Sequence, residues 1–147
     1  MLNPALVAAV LVAAASEYRR VGRGAMPWEL AFIIVPLCLH RQSRDELPGR
    51  TNAHLPHWVA EHPLLQAGLA RRAVDLRWFV LEGLRFAIAH GYLELEDGLL
   101  VGNWTAKVAP ADVGDIRSIV KSAAFVGRWL TKTDKTSTVF ALFGLAP

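Results

Sequence analysis

The sequence predicts a mostly helical α+β fold, one compact domain over residues 1–147 with a single β-hairpin at about residues 92–102. Three observations predict it. Apolar residues recur at three- and four-residue spacing through most of the chain, which is the period of a helix. One short segment, Tyr92-Leu93-Glu94-Leu95-Glu96, alternates with period two instead, and Asp97-Gly98 follows it. The length of 147 residues also suits one core, which usually serves about 100–200 residues.

The first helix is expected from about Pro4 to Val21. Asn3 is placed to cap it and Pro4 to open it. Leu6, Val7, Val10, Leu11, Ala14 and Tyr18 form one apolar face, and Gly22 and Gly24 end the helix. Arg19, Arg20 and Arg23 cluster at that C-terminus, where cations suit the helix dipole. A second helix is expected to open at Pro27 and run through Trp28 to Val35. It is apolar on nearly every side and so is expected to be buried on every side. Pro36 should kink or interrupt it, and the β-branched run Ile33-Ile34-Val35 leaves a buried strand as the weaker option.

A basic connection from His40 to Arg50 follows, in which Ser43 and Glu46 have capping-box spacing. Thr51 is placed to cap a short helix through Trp58, Val59 and Glu61, and Pro63 opens the next segment. Leu65, Leu69, Leu76, Phe79, Val80 and Leu84 then share a helical face. The stretch ending at His90 fits either one helix of about 40 Å or two helices broken between Asp75 and Arg77. Gly91 terminates it and the hairpin begins. Asp97-Gly98 suits a type I′ turn, with Leu99-Leu100-Val101 as the return strand. A helix ending in Gly and running straight into a hairpin is the pattern of a winged helix. After Pro110, Asp112 is placed to cap a helix with Ile116, Ile119, Val120, Ala123 and Leu130 on one face. Arg117, Lys121, Arg128 and Lys132 lie on the other. Thr136 or Ser137 caps a last short helix over Thr138 to Phe143, closed by Gly144.

Composition bounds the function. The chain is 53% apolar with a net charge of +3, which favours a permanent partner and permits, without demanding, contact with nucleic acid. The lone Cys38 excludes a disulfide framework and fits a reducing compartment. The apolar run Ala5–Ala15 has no preceding Lys or Arg and is well short of the ~20 residues that span a bilayer. A cytoplasmic protein without membrane contact is therefore expected.

Little in the sequence points to catalysis. No nucleophile elbow, Walker loop, dinucleotide fingerprint or HExxH pair occurs. His54, His57 and Glu61 have the spacing of a two-His-one-carboxylate metal set, but Pro56 lies between the histidines, and a solvated helical face is the simpler reading. No catalytic residue, metal ligand, cofactor or small-molecule substrate is expected. As a DNA-reading winged helix, the helix before the wing offers Arg77 and Arg85 but also Trp78, Phe79, Phe86 and Ile88. The wing itself carries Glu94, Glu96 and Asp97, which phosphates repel. A winged-helix transcriptional regulator is thus the alternative function. Arg71, Arg72, Arg117, Lys121, Arg128 and Lys132 are the candidate contacts to a nucleic-acid backbone, or else an ordinary solvated face.

Several segments together resemble a known family. Asn3-Pro4-Ala5-Leu6 with Glu17-Tyr18, Gly24-Ala25-Met26-Pro27, the stretch from Pro36 through Pro48, Phe125-Val126-Gly127-Arg128-Trp129-Leu130 and the ending Thr138 to Leu145 are similar to the middle component of three-component ABC-type systems. The resemblance covers most of the chain, and none of its motifs is catalytic. It implies a Lamassu-type role in bacterial defence against phages and plasmids. In such systems an SMC-like ABC ATPase senses foreign DNA and an effector, often a nuclease, is released. The middle protein implied is a kleisin- or winged-helix-type adaptor joining the two. On that reading Trp58, Trp78, Trp104 and Trp129 are candidate interface anchors, with burial in the core as the alternative for each.

Overall fold

The computed structural model describes residues 3–22, 24–103 and 114–146. Its elements are α1 (Pro4–Val21), β1 (Met26–Pro27), a 3₁₀ turn (Trp28–Leu30), α2 (Ala31–Leu39), α3 (Arg41–Asp45), α4 (Leu55–Glu61), α5 (Pro63–Asp75), α6 (Arg77–Ala89), β2 (Leu93–Glu96), β3 (Leu99–Gly102), α7 (Gly114–Leu130) and α8 (Thr136–Leu142). The predicted class holds, a mostly helical α+β fold with the hairpin in its expected place. The expected cap at Asp112 lies outside the described residues, as do Pro110 and Arg23.

Asn3 caps α1, its Oδ1 accepting from Ala5 N at 2.9 Å, with Pro4 in the first turn where a missing N–H costs nothing. Helix α1 does not have the single apolar face that its periodicity predicts. Val7 through Ala15 are all buried, so α1 is enclosed on every side and is the central helix. It packs against α2, α6, α7 and β3. Small side chains allow this, and α7 comes closest of all. A Cβ added at Gly127 would lie 2.8 Å from Ala14 Cα and would overlap the Ala14 carbonyl oxygen.

Pro27 does not start a helix. Met26-Pro27 pairs with β3 in a three-stranded antiparallel sheet of order β1-β3-β2, with Met26 opposite Leu100 and Pro27 opposite Leu99. An edge strand tolerates proline because it needs no donor on its outer side. Trp28 N then donates to Gly98 O at 2.9 Å, tying the 3₁₀ turn to the hairpin tip. The following α2 passes through Pro36 without interruption. The hydrogen bond lost there is outweighed by burial of Ile33 to Cys38, which also excludes the strand option.

The long helical stretch is two helices, α5 and α6, jointed at Leu76. A Schellman motif closes α6. Gly91 has φ +74°, Tyr92 N donates to Ala87 O at 2.8 Å, and Gly91 N donates to Ile88 O at 3.1 Å. The turn that follows has positive φ at both Asp97 (53°) and Gly98 (76°), as a type I′ hairpin requires. Leu93, Leu100 and Met26 point into the core, while Glu94, Glu96 and Asp97 stay exposed.

Three helix caps differ from those the sequence predicts. Ser43 lies inside α3 and is fully buried, and the cap is His40, whose Nδ1 accepts from Ser43 N at 3.2 Å. His54 rather than Thr51 precedes α4, and Lys135 precedes α8, which therefore starts at Thr136 itself. Lys132 lies in the turn after α7 and not on its outer face. A second Schellman closure at Gly144, with Leu145 N donating to Phe140 O at 2.9 Å, brings the last residues back over α8.

Candidate partner-binding surface

The α5–α6 joint and the 3₁₀ turn leave an apolar groove between them. Its volume is about 410 Å³, and Trp28, Phe32, Val74, Arg77, Phe140 and Leu145 line it. Each wall has a local cause. Trp28 and Phe32, one helical turn apart, meet edge to face with ring centroids 5.5 Å apart. Gln66 donates to the Leu142 carbonyl and holds α8 against α5, and the Gly144 reversal folds Leu145 over the end. The jointed backbone at Leu76 turns Val74 and Trp78 outward, where they are 68% and 61% exposed. Glu29 and Arg77 place one charge of each sign on the lining of the groove.

The predicted tryptophans separate by position. Trp58 and Trp129 are 5% and 1% exposed and stand edge to face at 5.4 Å. Each indole N–H donates to a backbone carbonyl at 2.8 Å, Trp58 to Glu46 and Trp129 to Ala53. They fasten the connection after α3 to α4 and to α7 and have almost no surface to offer a partner. Trp78 alone of the described three is at the surface, with the Arg85 guanidinium 5.8 Å from its ring centroid. Trp104 lies outside the described residues. Trp28 is the residue that sequence reading missed. It stood in what read as an all-buried helix, so no local signal set it apart.

The basic residues do not form one stripe. Arg128 donates to Glu17 Oε1 at 2.7 Å across α7 and α1. That carboxyl, bonded also to Arg20, is held below its ordinary pKa by Arg20 first and Arg128 after it, against the opposing effect of burial. Arg72 turns inward and donates to Ser43 Oγ at 3.2 Å, and burial lowers its pKa. Arg71, Arg117, Lys121 and Lys132 are exposed, the first on α5 and the next two one turn apart on α7. Arg85 bonds Glu82 at 2.9 Å.

His57 Nε2 lies 3.1 Å from Glu61 Oε1 on an exposed face, with His54 at the preceding cap position. Among the described residues no group of three His, Cys, Asp or Glu side chains is arranged to hold a metal ion. Cys38 is fully buried, which pushes its thiol up to about 12 despite the nearby Arg44 charge. No helix among the described residues is long and apolar enough to cross a membrane.

A family model described as ABC-three component (ABC-3C) system Middle Component 3 matches residues 1–147. The chain belongs to that family. No curated protein and no solved structure matches it. The resemblance to a middle component of a three-component ABC system is thereby established. In this ABC-3C middle component the groove reaches the α5–α6 joint at the exposed Val74 and at Arg77, the residue before the exposed Trp78, while the acidic hairpin edge carries Glu94, Glu96 and Asp97.

Proposed function

We propose that this ABC-3C middle component is a non-catalytic adaptor joining the SMC-like ABC ATPase of its system to an effector of the nuclease kind. The setting proposed is cytoplasmic, Lamassu-type defence against phages and plasmids. The observation that carries the reading is the apolar groove at the α5–α6 joint, lined by the exposed Val74 and by Arg77, with the exposed Trp78 next to Arg77 in α6. A tryptophan buries about 150–250 Å² when fully enclosed. At ~25 cal/mol per Å², covering the exposed part of Trp78 together with Val74 is worth about 3–6 kcal/mol, the scale of an interface hot spot. The groove's opposite charges at Glu29 and Arg77 would fix the orientation of whatever segment it takes. Within such a complex, contact with a DNA backbone would fall to exposed cations such as Arg71 and Lys121, since Arg72 and Arg128 are engaged inside the protein.

Co-expression with the ATPase and effector components of the same system tests this. The adaptor reading expects one complex containing all three, dissociated by Trp78→Ser together with Val74→Ser, with the fold intact by circular dichroism. A chain that captures neither component would overturn it.

A further inference from the structure

The walls of the groove dictate the form of what can enter it. Trp28 and Glu29 come from the 3₁₀ turn, Phe32 from α2, Val74 from α5, Arg77 from α6 and Phe140 from α8. Among the described residues no strand lines it, so it offers no ladder of free backbone groups for a peptide to pair with. The wall segments outside the α-helices have their amides engaged too. Trp28 N donates to Gly98 O and Leu145 N to Phe140 O, each at 2.9 Å. An extended peptide laid against these walls would lose water from its N–H and C=O groups and gain no hydrogen bond in return. A helix carries its own backbone hydrogen bonds and keeps them on entering.

Size and charge narrow the choice further. A volume of about 410 Å³ has room for the side chains of one helical face rather than for a whole helix. Val74 lines the groove and yet is 68% exposed, so the apolar surface runs out of the cavity onto the exterior of the protein. That suits a macromolecular segment better than a small ligand, which a pocket encloses on most sides. Glu29 and Arg77 have no ion pair or side-chain hydrogen bond among the described residues, with each other or with any neighbour. Each can take an opposite charge from an incoming segment, and a like charge in either place would be repelled.

We infer that the groove receives an amphipathic α-helix of a partner component, with a basic residue facing Glu29 and an acidic residue facing Arg77. Its apolar residues, spaced i, i+3 or i+4, and i+7, enter between Trp28, Phe32, Phe140 and Leu145. The inference rests on the adaptor reading and names the chemistry of the segment that the adaptor holds.

The test places p-benzoylphenylalanine at position 74 of the full chain, co-expressed with the ATPase and effector components of its system, and maps the crosslinks by mass spectrometry. One partner segment is expected, with apolar residues at helical spacing flanked by a basic and an acidic side chain. A synthetic peptide of that segment should bind the full chain and gain helical circular dichroism. Glu29→Lys and Arg77→Glu should each weaken the peptide's binding by about tenfold or more, and reversing the facing charge in the peptide should restore it. Should either reversal disturb folding, Glu29→Gln and Arg77→Gln give the same readout with a smaller loss. A complex that assembles while the crosslinks fall on a segment without helical spacing, on a second copy of this chain or nowhere overturns the inference and leaves the adaptor reading standing. Peptide binding unchanged in both reversals does the same. Failure of any complex to assemble removes both.

Discussion

Replacing Gly127 by alanine tests how α7 is seated on the central helix. In an isolated helix this change stabilises by about 1 kcal/mol, because glycine is the poorer helix former. Here the new methyl would meet backbone, lying 2.8 Å from Ala14 Cα and 2.9 Å from its carbonyl carbon and overlapping the carbonyl oxygen. Ordinary carbon contacts are about 3.5–4.0 Å. The backbone of α1 cannot rotate aside as a side chain can, so α7 must retreat by about 1 Å. That retreat loosens Ala123, Val126 and Leu130, none more than 1% exposed. Overpacking of this kind costs about 1–3 kcal/mol, and its upper end applies where backbone opposes backbone. After the propensity gain, a net loss of about 1–2 kcal/mol remains, or a Tm lower by about 3–8 °C for a domain of this size. Urea and thermal denaturation by circular dichroism measure it. Gly49→Ala, with nothing within 4 Å of the added carbon, is the control and should stay within about 0.5 kcal/mol of wild type. Equal or greater stability of G127A would refute the close crossing of α1 and α7.

Two further predictions concern titratable groups. Glu17→Gln should destabilise by about 0.5–1 kcal/mol at neutral pH, a magnitude that already counts solvent screening of the partly exposed Arg20 and Arg128 pairs. Because the folded Glu17 pKa is lowered from 4.5, its contribution is fully present above that value and is lost as pH falls through the folded pKa. The wild-type advantage in urea titrations should therefore shrink below about pH 4.5 and be constant from pH 6 to 8. A gap that widens on acidification would contradict the pairing. The Cys38 thiol, fully buried and raised to about 12, should react with a thiol reagent at pH 8 only as fast as the protein opens. Labelling of the native protein as fast as in denaturant would contradict its burial.

How much was legible depended on whether the signal was local. Asn3-Pro4, Gly91 and Asp97-Gly98 act through caps and turns set by a few adjacent residues, and these placed their elements correctly, while the spacing left one long helix or two joined near Asp75–Arg77 equally open. Strand β1 was not legible, because Met26 acquires its pairing from Leu100, more than seventy residues on. The all-round burial of α1 was hidden in a similar way. Its alanines look like a weak face until α7, α6 and β3 approach through Gly127, Gly83 and Gly102. Trp58, Trp78 and Trp129 read alike as single tryptophans. Only the carbonyls of Glu46 and Ala53, reached across the fold, separate the two core indoles from the exposed one. The groove draws on residues near 28–32, 73–77 and 140–146, so no spacing in the sequence could announce it. Arg72 and Arg128 looked like surface cations because Ser43 and Glu17, their acceptors, lie in other elements.

The α5–α6 joint is the surface proposed to hold the partners of this middle component. Its most direct test is quantitative co-purification of the three components of the system with the wild-type chain and with the Val74→Ser, Trp78→Ser pair. Stoichiometric assembly with wild type, and loss of at least one component at about a hundredfold weaker affinity with the variant, is the expected result. Assembly of all three components with undiminished affinity in the variant would contradict it.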